Sequence, residues 1–182
     1  MSSCGIPEGS QSADDGSPRW EGTIAFATQC PYGMVSSTKQ APLTLRDCPV
    51  GLKELKLIKP PSTFLFSGDC REKTLAIRTA DLSLDTLWQV TPDNRFNLSA
   101  GPVWTQLSED ADGHGPCWTA AEISVRGELE CEDQDRMKIR FDWVSLTLAP
   151  GLPETEWAPE GQRCHLPASC ELGGQAILNQ CL

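Results

Sequence analysis

The 182-residue chain lacks several things that would have narrowed its chemistry at once. Nowhere does it hold a run of about 18 apolar residues, so no stretch reads as a membrane-spanning helix. It has only two histidines, His114 and His165, and no Cys-x-x-Cys pair, so the usual close ligand spacing of a zinc site is missing. There is no Gly-x-Ser-x-Gly elbow, no Gly-rich phosphate loop and no His-Glu-x-x-His helix. Cys164 and His165 are adjacent, but neighbours on a strand point apart, which argues against a nucleophile pair. Paired carboxylates of the glycosidase kind stay open, since an acidic chain has many to offer. The expectation is therefore no enzyme, no cofactor and no metal.

Positive charge is also short: 15 Lys and Arg against 25 Asp and Glu, a net charge of -10. That balance disfavours nucleic acid and anionic lipid surfaces and favours a basic protein partner or cations. Solubility alone is the other reading. With 39% apolar and 22% charged residues, the chain can bury the core of one domain.

What is abundant is cysteine. Cys4, Cys30, Cys48, Cys70, Cys117, Cys131, Cys164, Cys170 and Cys181 are spread along the whole chain. Such spacing points to a disulfide framework in an oxidising compartment, with connectivity that sequence cannot assign. Nine is odd, so one thiol is left for a partner or for a covalent homodimer. The opening MSSCGIPEGS has neither a basic nor an apolar region and does not read as a signal peptide. The expectation is a mature secreted, extracellular form. Asn97-Leu98-Ser99 is an N-glycosylation triplet consistent with secretion.

Residues 1–19, rich in Gly, Ser, Pro and Asp, read as a flexible N-terminal arm. Residues 20–150 alternate apolar and polar side chains in many short stretches divided by turn signals, predicting an all-β, two-sheet β-sandwich. LKELKLIKPP fits a helix face or a strand. In KTLAIRTADLSLDTLWQV the apolar half-period shifts near Ala80-Asp81, predicting a bulge or a corner. Residues 151–182 read as an irregular, Cys-rich tail of the same domain, tethered by disulfides and ending in one short helix.

EISVRGELECEDQDRMKIRFDWVSL, residues 122–146, gives the clearest signal. Ala121, Ile123, Val125, Leu129 and Cys131 share one face of a first strand; Glu122, Ser124, Arg126, Glu128 and Glu130 share the other. Met137, Ile139, Phe141 and Trp143 alternate with Lys138, Arg140 and Asp142 on a second. An antiparallel hairpin would set the acidic outer face of the first against the basic outer face of the second. Glu130, Glu132, Asp133 and Asp135 crowd the turn. They make either a solvated turn or a patch for a basic protein, with Arg126 and Arg140 beside it.

Trp88, Trp104, Trp118 and Trp143 have strand-like surroundings and read as core. Trp20 and Trp157 lie among Pro and Gly, and are either partner anchors or plugs for the ends of the fold. Asp110-Ala111-Asp112-Gly113 resembles the start of a calcium loop, but the remaining ligands are missing and an Asp/Gly turn is the simpler reading.

Cys117 and Cys131 enclose thirteen residues, among them the strand Glu122 to Arg126, followed by a charged turn and a second alternating strand. Ile24 to Thr28 runs into Gln29-Cys30-Pro31, and Cys181 stands one residue from the end. Over residues 20–31 and 117–144 this resembles the poxvirus immune-evasion domain of secreted viral chemokine inhibitors and related cytokine- and MHC-binding proteins. The resemblance implies a secreted β-sandwich decoy that sequesters a host chemokine or cytokine through an acidic face. The long acidic insertion of the chemokine inhibitors is absent, with only Asp14 and Asp15 in that region. A secreted carbohydrate-binding β-sandwich, suggested by the six tryptophans, is the alternative.

Overall fold

The computed structural model describes residues 20–30, 34–47, 55–132, 137–174 and 178–180. Eleven strands and no helix occur among them: β1 (Trp20–Thr28), β2 (Lys39–Asp47), β3 (Leu55–Lys59), β4 (Phe64–Asp69), β5 (Thr74–Thr79), β6 (Asp85–Gln89), β7 (Arg95–Leu107), β8 (Cys117–Cys131), β9 (Met137–Leu148), β10 (Cys170–Gly174) and β11 (Leu178–Gln180). The all-β class is as expected. The division into two sheets is not: hydrogen bonds join the strands into one continuous curled sheet, ordered β2-β10-β9-β8-β7-β3-β1-β4-β5-β6, with β11 also on β9. Because β2 pairs with β1 as well, the path returns on itself and β4-β5-β6 extends from β1.

The curl follows from where the apolar residues fall. Along β7 and β8 alternate side chains are buried, so one face of this sheet must be covered. It is covered by the sheet's own far end. Phe66 of β4 lies edge-on to Phe141 of β9 with ring centroids 4.7 Å apart, although β4 and β9 are not hydrogen-bonded neighbours. Phe26 of β1 meets Phe64, Phe66 and Phe141 at 5.9, 5.7 and 5.8 Å, and Phe96 of β7 meets Phe141 at 6.0 Å. Each fully buried side chain of this size contributes about 1.5–3 kcal/mol, and this aromatic centre fixes how far the sheet must bend.

Two disulfides tie the curl at its margins. Cys70, in the turn after β4, bonds Cys131 at the end of β8. Cys117, at the start of β8, bonds Cys164 of the tail. Cys30 and Cys170 are disulfide-bonded as well, while Cys4, Cys48 and Cys181 lie outside the described residues, as do residues 1–19.

Several local expectations are resolved. LKELKLIKPP contains a strand, β3, parallel to β1. The half-period shift near Ala80 is neither bulge nor corner: β5 and β6 form a hairpin whose turn carries Leu82 at φ 60° and is held by Asp81 and Thr79. The tail is less irregular than predicted. Its residues 162–164 run beside Trp118 of β8, and β10 inserts between β9 and β2. In place of the expected final helix the described end of the tail is strand β11.

Candidate functional site

The hairpin of β8 and β9 is in the register its charges ask for. Glu128 stands opposite Arg140 and Glu130 opposite Lys138. Arg140 donates to Glu128 at 3.1 Å, and Lys138 lies 3.4 Å from Glu130. Asp142 lies 3.5 Å from Arg140 and 3.3 Å from Arg95, which comes across from β7. Three acids and three bases thus form one ladder on the outer face. Its members are a third to a half exposed, so it holds register more than it stabilises.

A bulge interrupts this hairpin. Arg126 pairs with Trp143 and Gly127 with Phe141, leaving Asp142 as the extra residue. Gly127 is buried, and a Cβ there would stand 1.9 Å from the Arg140 carbonyl oxygen, so only glycine lets the two backbones approach. The bulge turns Trp143 outward, contrary to the inward face expected of it, and puts Val144, Leu146 and Leu148 in the core. Trp143 lies across Gly173 of β10, with the Arg46 guanidinium 4.8 Å over its ring. Arg126 is exposed beside it and has no ion-pair partner among the described residues, and the Asn97 side chain is exposed opposite Arg126 on β7.

At the other end of the hairpin the ladder stops. Glu132 is exposed and meets no cation among the described residues; Asp133 and Asp135 lie outside them. Trp157 is exposed at 51%, whereas the side chain of Trp20 lies outside the described residues. The expected partner-binding residues are therefore not one constellation. Arg126 marks one part of the outer face, Arg140 and Glu130 are spent on each other and their neighbours, and Glu132 sits at the tip.

The loop between β7 and β8 has a different organisation. Asp110 is buried, its Oδ1 accepting from the backbone N–H of Asp112 at 3.0 Å and of His114 at 2.9 Å, its Oδ2 from that of His165 at 3.0 Å. Burial pushes its pKa up, but the N–H donors of His165, His114 and Asp112, with the nearby His114 ring, outweigh this and hold it below the ordinary carboxylate value. Asp110, Asp112 and His114 bring ligand atoms within 4.8 Å of one another. Both Asp110 oxygens are nevertheless engaged by backbone, and Asp112 bonds the His165 ring at 2.7 Å, so the cluster serves to pin loop to tail.

Beside this loop lies a cleft of about 210 Å³ lined by Trp104, Trp118, Leu152, Glu154, Arg163 and His165. Arg163 stacks 4.7 Å over Trp104, bonds Glu154 through Nε at 2.9 Å and Nη2 at 3.2 Å, and donates to the Pro159 carbonyl at 2.8 Å. The hydrogen bond from Arg163 holds the Glu154 pKa low. The Trp104 indole donates to Thr155 at 3.2 Å. Trp88, Trp104, Trp118 and Trp143 are thus half-buried, not core as expected: Trp88 lies on the edge strand β6, Trp104 and Trp118 border the tail, and the bulge turns Trp143 outward. Sequence reasoning did not find the cleft, since its walls come from β7, β8 and the tail; Asp110 carried a signal in its Asp-x-Asp-Gly turn.

No protein-family profile, no curated protein and no solved structure matches this chain.

Proposed function

We propose that the chain is a secreted, non-enzymatic decoy that captures a host chemokine or cytokine, with the tip of the β8–β9 hairpin as its first point of contact. The observation that carries this is where the charge ladder ends. Up to Glu130 and Lys138 every acid on the outer face of the hairpin's second half has a cation; beyond them Glu132 has none among the described residues. Uncompensated acid at Glu132, just past the end of β8, on a chain of net charge -10, raises the encounter rate with a basic protein and selects for it. The disulfides anchor both ends of β8, Cys131 beside Glu132 among them, and suit an extracellular compartment.

Surface plasmon resonance against a panel of chemokines and cytokines tests the reading. Binding should weaken as salt approaches ~1 M, where the screening length falls to about 3 Å. Changing Glu132, Asp133 and Asp135 together to Ser should lower the association rate and leave the fold intact. An unchanged rate returns the turn to a solvated one, and no binding at micromolar concentration across the panel overturns the decoy.

The Trp104–Trp118 cleft supports the second reading, a carbohydrate-binding module, because half-buried indoles and the Glu154 carboxylate line one concavity. A glycan-array signal abolished by Trp118→Ala would replace the decoy with this alternative.

A further inference from the structure

β6 ends the sheet path, and its outer edge has no strand beside it among the described residues. Alternation along β6 shows which groups that edge offers. The Val90 N–H donates to the Lys73 carbonyl and the Leu84 carbonyl accepts from Thr79, so the even-numbered residues of this stretch bond β5. Asp85, Leu87 and Gln89 therefore point their N–H and C=O groups away from it. Apart from the single charge of Asp85 and the strand's short length, the usual protections of an edge are missing. Residues 85–89 contain no proline, no lysine and no bulge, and all five pair with β5 in unbroken register. Leu87, at 67%, is the most exposed large apolar side chain among the described residues.

We propose that β6 is a dimerisation strand that pairs antiparallel with β6 of a second copy, about a two-fold axis through Leu87. This goes beyond the decoy reading and does not depend on it. Self-complementarity selects a second copy over an unrelated partner. Centring the pair on Leu87 joins the outward groups of Asp85, Leu87 and Gln89 in about six backbone hydrogen bonds. It sets the two Leu87 side chains together, Asp85 against Gln89 and Thr86 against Trp88, with no like charges opposed. The only charge on the strand, Asp85, lies 3.5 Å from Arg78 of its own copy. Such an interface is isologous, as two-fold pairing requires.

Sedimentation equilibrium of the full chain, with any free thiol alkylated, tests this from about 5 to about 500 µM. The mass should rise from 19.8 kDa toward twice that value with concentration. Because each copy carries a net charge of -10, added salt should strengthen the dimer, the reverse of its effect on capture of a basic ligand. Leu87→Lys sets two ammonium groups together at the axis and should weaken association about tenfold or more. In the unmodified chain, exchange of the Asp85, Leu87 and Gln89 amides should slow as concentration rises, while those of Thr86 and Trp88, already bonded to β5, should not change. A monomer at every concentration, a dimer indifferent to Leu87→Lys, or unchanged exchange at those three amides overturns the proposal.

Discussion

Replacing Asp110 with alanine removes one buried carboxylate and the three backbone contacts it accepts. Hydrogen bonds to a charged acceptor contribute about 1.5–3 kcal/mol each. The released N–H groups belong to Asp112, His114 and His165, all in exposed residues, so water recovers much of that. The net loss should be about 2–4 kcal/mol, or roughly 5–15 °C in Tm for a chain of this size. Asp110→Asn should fall between, since an amide keeps one acceptor oxygen and turns an N–H donor toward another N–H. The pH dependence has a defined sign. Asp110 titrates lower folded than unfolded, so its contribution is complete above about pH 4 and fades as pH falls through the lowered value. The gap between the natural chain and Asp110→Ala should therefore narrow on acidification. Urea unfolding with disulfides intact, at neutral and acidic pH, measures both quantities. A neutral-pH difference under about 0.5 kcal/mol, or a gap that widens in acid, would refute the assignment of Asp110 as the pin between loop and tail.

Gly127→Ala should cost about 2–4 kcal/mol, because the new methyl meets the Arg140 carbonyl at 1.9 Å and the Phe96 ring at 2.9 Å; the denaturation midpoint reports it. Replacing Cys70 and Cys131 together by alanine frees a loop spanning 61 residues and should cost about 4 kcal/mol by calorimetry, chiefly through the unfolded state. Arg140→Ala should cost only about 0.5–1 kcal/mol, less at high salt, since its partners Glu128, Glu130 and Asp142 remain partly solvated.

The hairpin was legible because the period of two carries both burial and charge along β8, and the register pairs Glu128 with Arg140 and Glu130 with Lys138 as the alternation asks. The same rule failed at Trp143. One bulged residue inverts everything after it, and the cue, Gly127, lies on the partner strand. Alternation also says that one face is covered without saying by what, so a curled single sheet and a two-sheet sandwich read alike in sequence. The ring contacts that close the curl join Phe26, Phe66, Phe96 and Phe141, residues far apart in the chain. The cleft was hidden for the same reason: Trp104 and Arg163 come together only through the Cys117–Cys164 bond and the backbone pairing of Trp118 with residues 162 and 164.

The place of β10 sets an order of events. Residues 170–174 bridge β9 to β2, so until they have been made and have joined the sheet those two long strands have bare facing edges. A nascent chain waits in that condition, with the apolar face of β9 turned toward whatever is near. Premature termination anywhere before Cys170 would freeze it there, an unfinished sheet seeking a strand from a neighbour. The tail is the keystone of assembly, because its strand β10 is what joins β9 to β2.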